Sequence, residues 1–274
     1  MNRGQAEWLL NCTPEKRYRS FLSSVADGND IWYLFGREGG FMHFDDDGYI
    51  NVPLWAYSEF SDYFKTLMGE ECDALPHKVS VSEFFTKCEA LDEYIRFIVF
   101  PTAKNAYTVS SKQLCEDLRR ALDEHFMHEA ILVSKAAVLH GNEPFGAVLV
   151  KDEKIVFMNE NKIYTENDPT FHAEMGLIKR FAQERGISDL SEYTLYSSCE
   201  PCFMCSGAMV WSKLGRLVYA ASNNDLEEIL GNKGCECSKL VFDNSFRAPK
   251  VTSGVLRQES LDVLKAYFSN HNKG

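Results

Sequence analysis

Apolar positions change their period several times along the chain, and each change marks an element. In PEKRYRSFLSSVAD, Tyr18, Phe21, Leu22 and Val25 fall on one helical face, with Pro14 in the first turn. The next stretch, IWYLFGREGGFMHFDDDGYINVPLW, holds short β-rich runs split by Gly36, by Gly39 and Gly40, and by Asp47-Gly48, the punctuation of a meander. EFSDYFKTLM and VSEFFTKCEALDEY return to helical spacing, and IRFIVFP reads as a buried strand closed by Pro101. Residues 1–110 therefore predict a small α+β domain. The polar stretch PTAKNAYTVSSKQ is the candidate linker to a second domain over residues 111–274.

That second region opens on LCEDLRRALDEHFMHEAILVSKAAVLHG, a predicted helix with Phe126, Ala130, Val133 and Ala137 on one face and Gly141 past its end. Two apolar strands follow in GAVLVKDEKIVFMN, joined by the charged turn KDEK. Helix and strand then alternate: a helix from about His172 to Arg185, a strand at YTLYS, a helix from Cys202 to Trp211, a strand at RLVYAA and a last helix at ESLDVLKAYF. This order predicts an α/β sandwich with helices on both faces of a sheet.

Composition narrows the setting. With 45% hydrophobic and 25% charged residues over 274 positions, the chain can bury a core without covalent staples. No apolar run reaches the length of a signal-peptide core or a membrane span, so the expectation is a cytoplasmic protein with no membrane partner. Nine cysteines, an odd number, in a reducing compartment point to metal-binding or catalytic thiols rather than disulfides. The net charge of −11, with both halves acidic, weighs against a surface built to grip nucleic-acid phosphates.

Three of the thiols crowd into CEPCFMC, residues 199–205. Such a run can hold a metal, cycle as a disulfide, anchor an iron–sulfur cluster or fill a core. A ferredoxin-like cluster needs a fourth cysteine where Met209 stands, and a closed structural zinc site would recruit Cys199. The upstream DPTFHAEMGLI favours another arrangement. Asp168-Pro169 approaches a helix start, placing His172 and Glu174 in or near its first turn, and Pro201 does the same for Cys202 and Cys205. One imidazole and two thiolates at converging helix N-termini give three zinc ligands, which leaves a fourth position for water, the mark of a catalytic site. Zinc brings the pKa of a coordinated water to about 7. Glu174, two residues beyond His172, stands where a proton acceptor is needed.

HAE (172–174) and PCFMC (201–205) match the His-x-Glu and Pro-Cys-x-x-Cys signature of the zinc nucleobase deaminases. The resemblance runs from about Phe126 to Phe268 and takes in PFGAVLV, Asn159, DPTFHAE and SCEPCFMCSGAMVW. Within this cytidine deaminase-like superfamily the chain is most similar to free-base and nucleoside deaminases of the guanine and cytosine type. The resemblance implies a three-layer α/β/α sandwich around a mixed five-stranded sheet. It implies one Zn2+ per chain on His172, Cys202 and Cys205, with Glu174 as the catalytic proton shuttle in hydrolytic release of ammonia. It also implies that Asn159 bonds the base or ribose, that Phe145 and Trp211 line the base pocket, and that the backbone of Ala173 and the carbonyl of Glu200 meet the ring and the departing amine. A homodimer through the C-terminal region is expected on the same ground. Residues 1–110 resemble small bacterial domains of uncharacterised function and show no chemistry: Asp45 to Asp47 read as a solvated hairpin tip, and His43 and His77 have no partner at ligand spacing.

The substrate stays open. After RLVYAA this chain has LGNK and then GCECSKLVF, where guanine deaminases of this type carry a Gly-Phe-Asp-Asp run, so cytosine, adenine, a modified purine or a nucleoside compete with guanine. Cys235 and Cys237 are too close in sequence for an ordinary zinc pair and read as small apolar or incidental residues. A tRNA adenosine deaminase is the main alternative, against which stand the nearly balanced charge of RQESLDVLKAYFSNHNKG and the acidic front domain. A zinc-stabilised binding module without turnover is the third reading, and the intact Glu174 argues against it.

Overall fold

A computed structural model describes residues 3–36, 39–68 and 73–271. The chain divides into two compact units, Met1–Leu122 and Asp123–Gly274. In the first, helices α1 (Arg3–Leu10) and α2 (Pro14–Ala26) lead into strands β1 (Ile31–Phe35), β2 (Phe44–Asp46) and β3 (Tyr49–Leu54). Then come α3 (Ser58–Met68), β4 (Leu75–Val79), α4 (Val81–Cys88), β5 (Ile95–Val99) and β6 (Tyr107–Ser110). Thr13 caps α2 through its side chain and Pro14 opens it, as the sequence pattern requires.

The expected meander is replaced by two separate sheets. β1 pairs antiparallel with the distant β4, while β2, β3, β5 and β6 form a four-stranded sheet in which β3 and β5 run parallel. Only the β2–β3 and β5–β6 pairings join consecutive strands; the β2–β3 tip holds Asp47 and Gly48 at φ 46° and 80°, where glycine is at ease and aspartate is tolerated. The stretch expected as a linker is structured too. Thr102 and Asn105 close a turn, and Tyr107, Thr108 and Val109, a β-prone run, add an edge strand antiparallel to β5. The division between units therefore falls past residue 110, inside the long helix α5 (Ser111–Leu139).

The second unit continues with β7 (Gly146–Lys151), β8 (Lys154–Glu160), α6 (Ala173–Arg185), β9 (Thr194–Cys199), α7 (Phe203–Trp211) and β10 (Arg216–Ala221). It closes with α8 (Asn223–Leu230), α9 (Cys237–Asp243), β11 (Lys250–Ser253) and α10 (Arg257–His271). The sheet order is β11-β10-β9-β7-β8; β9, β10 and β11 are parallel, and β7 is antiparallel to both its neighbours. This is the mixed five-stranded sheet of a three-layer α/β/α sandwich.

Side chains alternate across that sheet with a period of two. Ala147, Leu149, Leu195 and Leu217 pack with Leu177, Phe181, Met209 and Val210 of α6 and α7. Tyr196 lies one position from Leu195 and therefore faces the other way, its ring 5.3 Å from that of Phe126 on α5. Its hydroxyl donates to Asp123, which also takes a bidentate pair of bonds from Arg216, at 2.8 and 2.6 Å. Gly146 allows α5 to approach β7 this closely: a Cβ there would stand 2.4 Å from the Ala130 carbonyl oxygen. Helix α6 runs back along the sheet before β9, and α7 leaves from the end of β9, so both helix N-termini meet at the C-terminal edge of that strand.

Candidate active site

His172 and Cys202 are the N-cap residues of α6 and α7, with extended backbones (φ −65°, ψ 156° and φ −66°, ψ 176°). An N-cap side chain ordinarily turns back to accept from the helix, yet neither of these does. Imidazole and thiol are thus left to face each other, Sγ of Cys202 lying 3.6 Å from Nδ1 of His172. Cys205 comes from the first turn of α7 and is fully buried. The three donor atoms lie within 4.8 Å of one another, the one such group among the described residues. Nitrogen and two sulfurs are a donor set that zinc takes, and three ligands fall one short of a tetrahedron. Cys199 is buried nearby but outside the group, its thiol held protonated by burial and by Glu174.

Glu174 is the second residue of α6, only 6% exposed. Oε1 accepts from the Ser197 hydroxyl at 3.0 Å, and Oε2 faces the Cys205 thiol at 3.6 Å. Burial, with the Cys202 charge next, pushes its carboxyl above the usual range, so the group can hold a proton. Cys202 moves the opposite way, pulled down to about 4 by the hydrogen bond from Cys205 and then by His172. His172 is raised by the same thiolate, and Cys205 is raised by its bond to Cys202 and by burial. The two helix N-termini favour the negative charge gathered here.

Known proteins share the sequence of this region. Residues 120–221 match the profile of the cytidine and deoxycytidylate deaminase zinc-binding region. The chain is similar to a guanine deaminase of Bacillus subtilis, at 41% identity over 106 residues, 38% of this chain and 68% of that protein. It is similar to a tRNA-specific adenosine deaminase of Buchnera aphidicola, at 32% over 151 residues, 55% of this chain and 91% of that protein. A probable cytosine deaminase of Schizosaccharomyces pombe shares 35% over 136 residues, 50% of this chain and 79% of that protein. This chain belongs to the zinc-dependent cytidine deaminase family.

The residues expected on the deaminase's substrate side part company. Both amide hydrogens of Asn159 are engaged, with the carbonyls of Glu160 at 2.9 Å and Ala173 at 3.0 Å, and its oxygen accepts from Arg180 at 3.3 Å. It pins the start of α6; Gly176 makes room for it, since a Cβ there would lie 2.6 Å from its Nδ2. Asn161, just past the end of β8, is the asparagine with capacity to spare. It is fully buried, its Oδ1 accepts from Ile163 at 3.1 Å, and its Nδ2 has no partner. Its backbone N–H bonds Phe145, and the next residue bonds Phe171, the neighbour of His172. Sequence reading missed it by closing the strand at Asn159, one residue before its end at Glu160. Ser197 was missed as well, although SSC immediately precedes the cysteine motif.

Phe145 is half-buried against the cores on both sides of the sheet edge. Ala173 is buried at the first position of α6, where helical geometry leaves its N–H without an intrahelical acceptor. The Glu200 side chain is a clamp: its two oxygens accept from Asn223 N–H at 2.9 Å and from Ser238 N–H and hydroxyl at 3.1 and 2.6 Å, holding the first turns of α8 and α9. Those contacts fix the strand end from which its own carbonyl projects. Trp211 ends α7 and is 78% exposed, its ring against Phe246 at 5.6 Å. With a rise of about 1.5 Å per residue it lies roughly 9 Å along the helix from Cys205, so the structure does not bring it to the metal cluster of its own chain. Cys235 and Cys237 do meet, Sγ to Sγ 2.9 Å, beside Asn223, whose amide donates to the Cys235 carbonyl.

Proposed function

We propose that the protein hydrolyses the exocyclic amine of a small free base or nucleoside, of the guanine or cytosine kind, releasing ammonia. The observation that carries the reaction type is a buried carboxyl, Glu174, held beside the His172, Cys202 and Cys205 donor group. When bound there, zinc acts as a Lewis acid and lets water ionise near neutral pH. Glu174 takes the proton from the attacking water at Oε2, with Ser197 fixing the other oxygen. It then gives that proton to the ring nitrogen next to the reacting carbon. A second transfer to the amine lets ammonia leave, and a carbonyl remains, so one water is consumed for each ammonia. Asn161, with its free Nδ2 hydrogens, supplies a donor to a ring or carbonyl acceptor of the base. The N–H of Ala173 and the carbonyl of Glu200 are assigned to the ring and the departing amine.

The small-substrate choice rests on charge. At −11 the chain lacks the excess of cations that phosphate contacts demand, and guanine and cytosine deaminases stand among its relatives. A second copy of the chain is the proposed partner. A groove of about 580 Å³ between α6 and α7, bounded by Phe203, Ala208 and Trp211, leaves an apolar face that dimerisation covers. A cytoplasmic setting suits thiols that are all free among the described residues.

The test is ammonia release by the zinc-loaded protein on a panel of free bases, nucleosides and a tRNA anticodon stem-loop, with Glu174→Gln beside it. Turnover on one small heterocycle that the variant lacks supports the proposal. Turnover on the stem-loop alone replaces the substrate with tRNA adenosine, and zinc without turnover on any of them replaces the enzyme with a binding module. Light scattering reads the dimer, and Trp211→Glu should return it to monomer.

A further inference from the structure

The first unit encloses a cavity of about 560 Å³ that has no part in deamination. It opens where the two sheets and α4 come together. Val52 and Leu54 of β3 and Phe97 of β5 line one side, and Val79 of β4 and Phe84 of α4 line others, all of them buried. Native interiors close voids much larger than a water molecule, because wall atoms facing empty space lose their packing partners. A volume in the usual range of small-molecule sites, roughly 300–1,000 Å³, with walls this apolar, is the form of a binding site.

One polar group is placed to read an occupant. Tyr33 of β1 lines the cavity, and its hydroxyl makes no hydrogen bond to another described residue. Burial raises its pKa, so it remains a phenol and a donor. The other polar groups of the rim are engaged elsewhere. Lys87 is paired with Glu83 at 2.8 Å, and His43 is bonded through Nδ1 to the Phe41 carbonyl at 2.9 Å. A nucleobase needs several donors and acceptors met at once, and a phosphate needs free cations; these walls offer neither.

We propose that this unit binds a small, mainly hydrocarbon molecule carrying one carbonyl or carboxylate, which accepts from the Tyr33 hydroxyl while its apolar body fills the cavity. The experiment uses the full chain and N-phenyl-1-naphthylamine, a neutral probe that brightens in apolar sites, with decanoate and decanamide as competitors. The expected result is probe binding that saturates at one per chain and is displaced by at least one competitor. Tyr33→Phe should keep the probe and weaken the displacing competitor about tenfold, the effect of one hydrogen bond. Val52→Phe, which fills the cavity, should lose the probe, with circular dichroism reporting the fold; if that variant does not fold, Tyr33→Phe decides alone. Unsaturable probe binding, displacement by neither competitor, or equal displacement from Tyr33→Phe and the parent would each overturn the assignment.

Discussion

Each compact unit buries a charged side chain deep in its interior, and the two are treated in opposite ways. Arg17 of the first unit, 1% exposed, gives Nε to the Phe100 carbonyl at 2.9 Å, Nη1 to the Cys12 carbonyl at 2.6 Å, and Nη2 to both oxygens of Asn105 at 3.0 and 2.6 Å. It ties the start of α2 to the end of β5 and to the turn beyond, and little of its donor capacity remains. Glu174 of the second unit has one hydroxyl donor and a thiol at 3.6 Å for a carboxylate that can accept about four bonds. A buried charge whose bonds are all made serves the fold. One whose bonds are left incomplete is held ready for a group that arrives later.

The largest effect that can break this contrast is at Glu174. Glu174→Gln keeps the shape and removes the proton carrier, so turnover should fall by about 10²–10⁴-fold while bound zinc and the melting temperature hold. Metal analysis and ammonia release on the same sample read both. A variant that loses stability and zinc along with activity would make Glu174 a structural group like Arg17. Arg17→Met is the counterpart: several buried carbonyls lose their donor, and unfolding in urea should show a loss of about 2–5 kcal/mol with ammonia release per folded molecule unchanged.

What the sequence made legible follows the same division between local and distant partners. The metal cluster could be read because its spacing is set by helix starts: His172 and Glu174, and Cys202 and Cys205, each belong to one turn. Long periodic helices and the strands GAVLVK and RLVYAA were equally visible. Pairing of β1 with β4 was not, since nothing in either run names a partner past an intervening hairpin and helix. Strands β4 and β11 and helices α8 and α9 are short, and their support is tertiary, as in the two helix starts that Glu200 clamps. Trp211 fails for a geometric reason. Six residues past Cys205 it is turned by about 240° around the helix, whereas Met209, four residues on, stays on the buried face.

Asn159 and Asn161 carry the contrast to a smaller scale, one amide with its bonds made and one without. On the proposed function, Asn161→Ala should lower kcat/KM by about 10–100-fold with little change in melting, since its Nδ2 has no protein partner to lose. Asn159→Ala should act mainly on stability, by about 1–3 kcal/mol, because the carbonyls of Glu160 and Ala173 lose their donor. Steady-state kinetics and thermal melts of the pair separate the roles, and the inverse pattern would return the base contact to Asn159.

The smallest effect concerns Asp225, a buried carboxylate with its bonds made, which should behave as Arg17 does and not as Glu174. It accepts from Arg257 Nε at 2.9 Å and also pairs with Nη2, and it completes a capping box by accepting from the Ser222 N–H and hydroxyl at 2.9 and 2.8 Å. The clasp joins the first turn of α8 to the first turn of α10. The Arg257 guanidinium beside it lowers the carboxyl from 3.8 to about 2 in the folded protein. A folded-state pKa below the unfolded value means that the folded protein binds fewer protons in this window. The stabilisation is therefore whole above pH 3.8 and is lost as pH falls towards about 2. Asp225→Asn should melt below the parent at neutral pH, and the gap should close across that window. Comparing the two proteins cancels every acid effect that both share, protonation of the His172, Cys202 and Cys205 group included. A gap that stays constant down to pH 2 would mean that Asp225 acts through packing and neutral hydrogen bonds, and that its charge contributes nothing to holding α8 against α10.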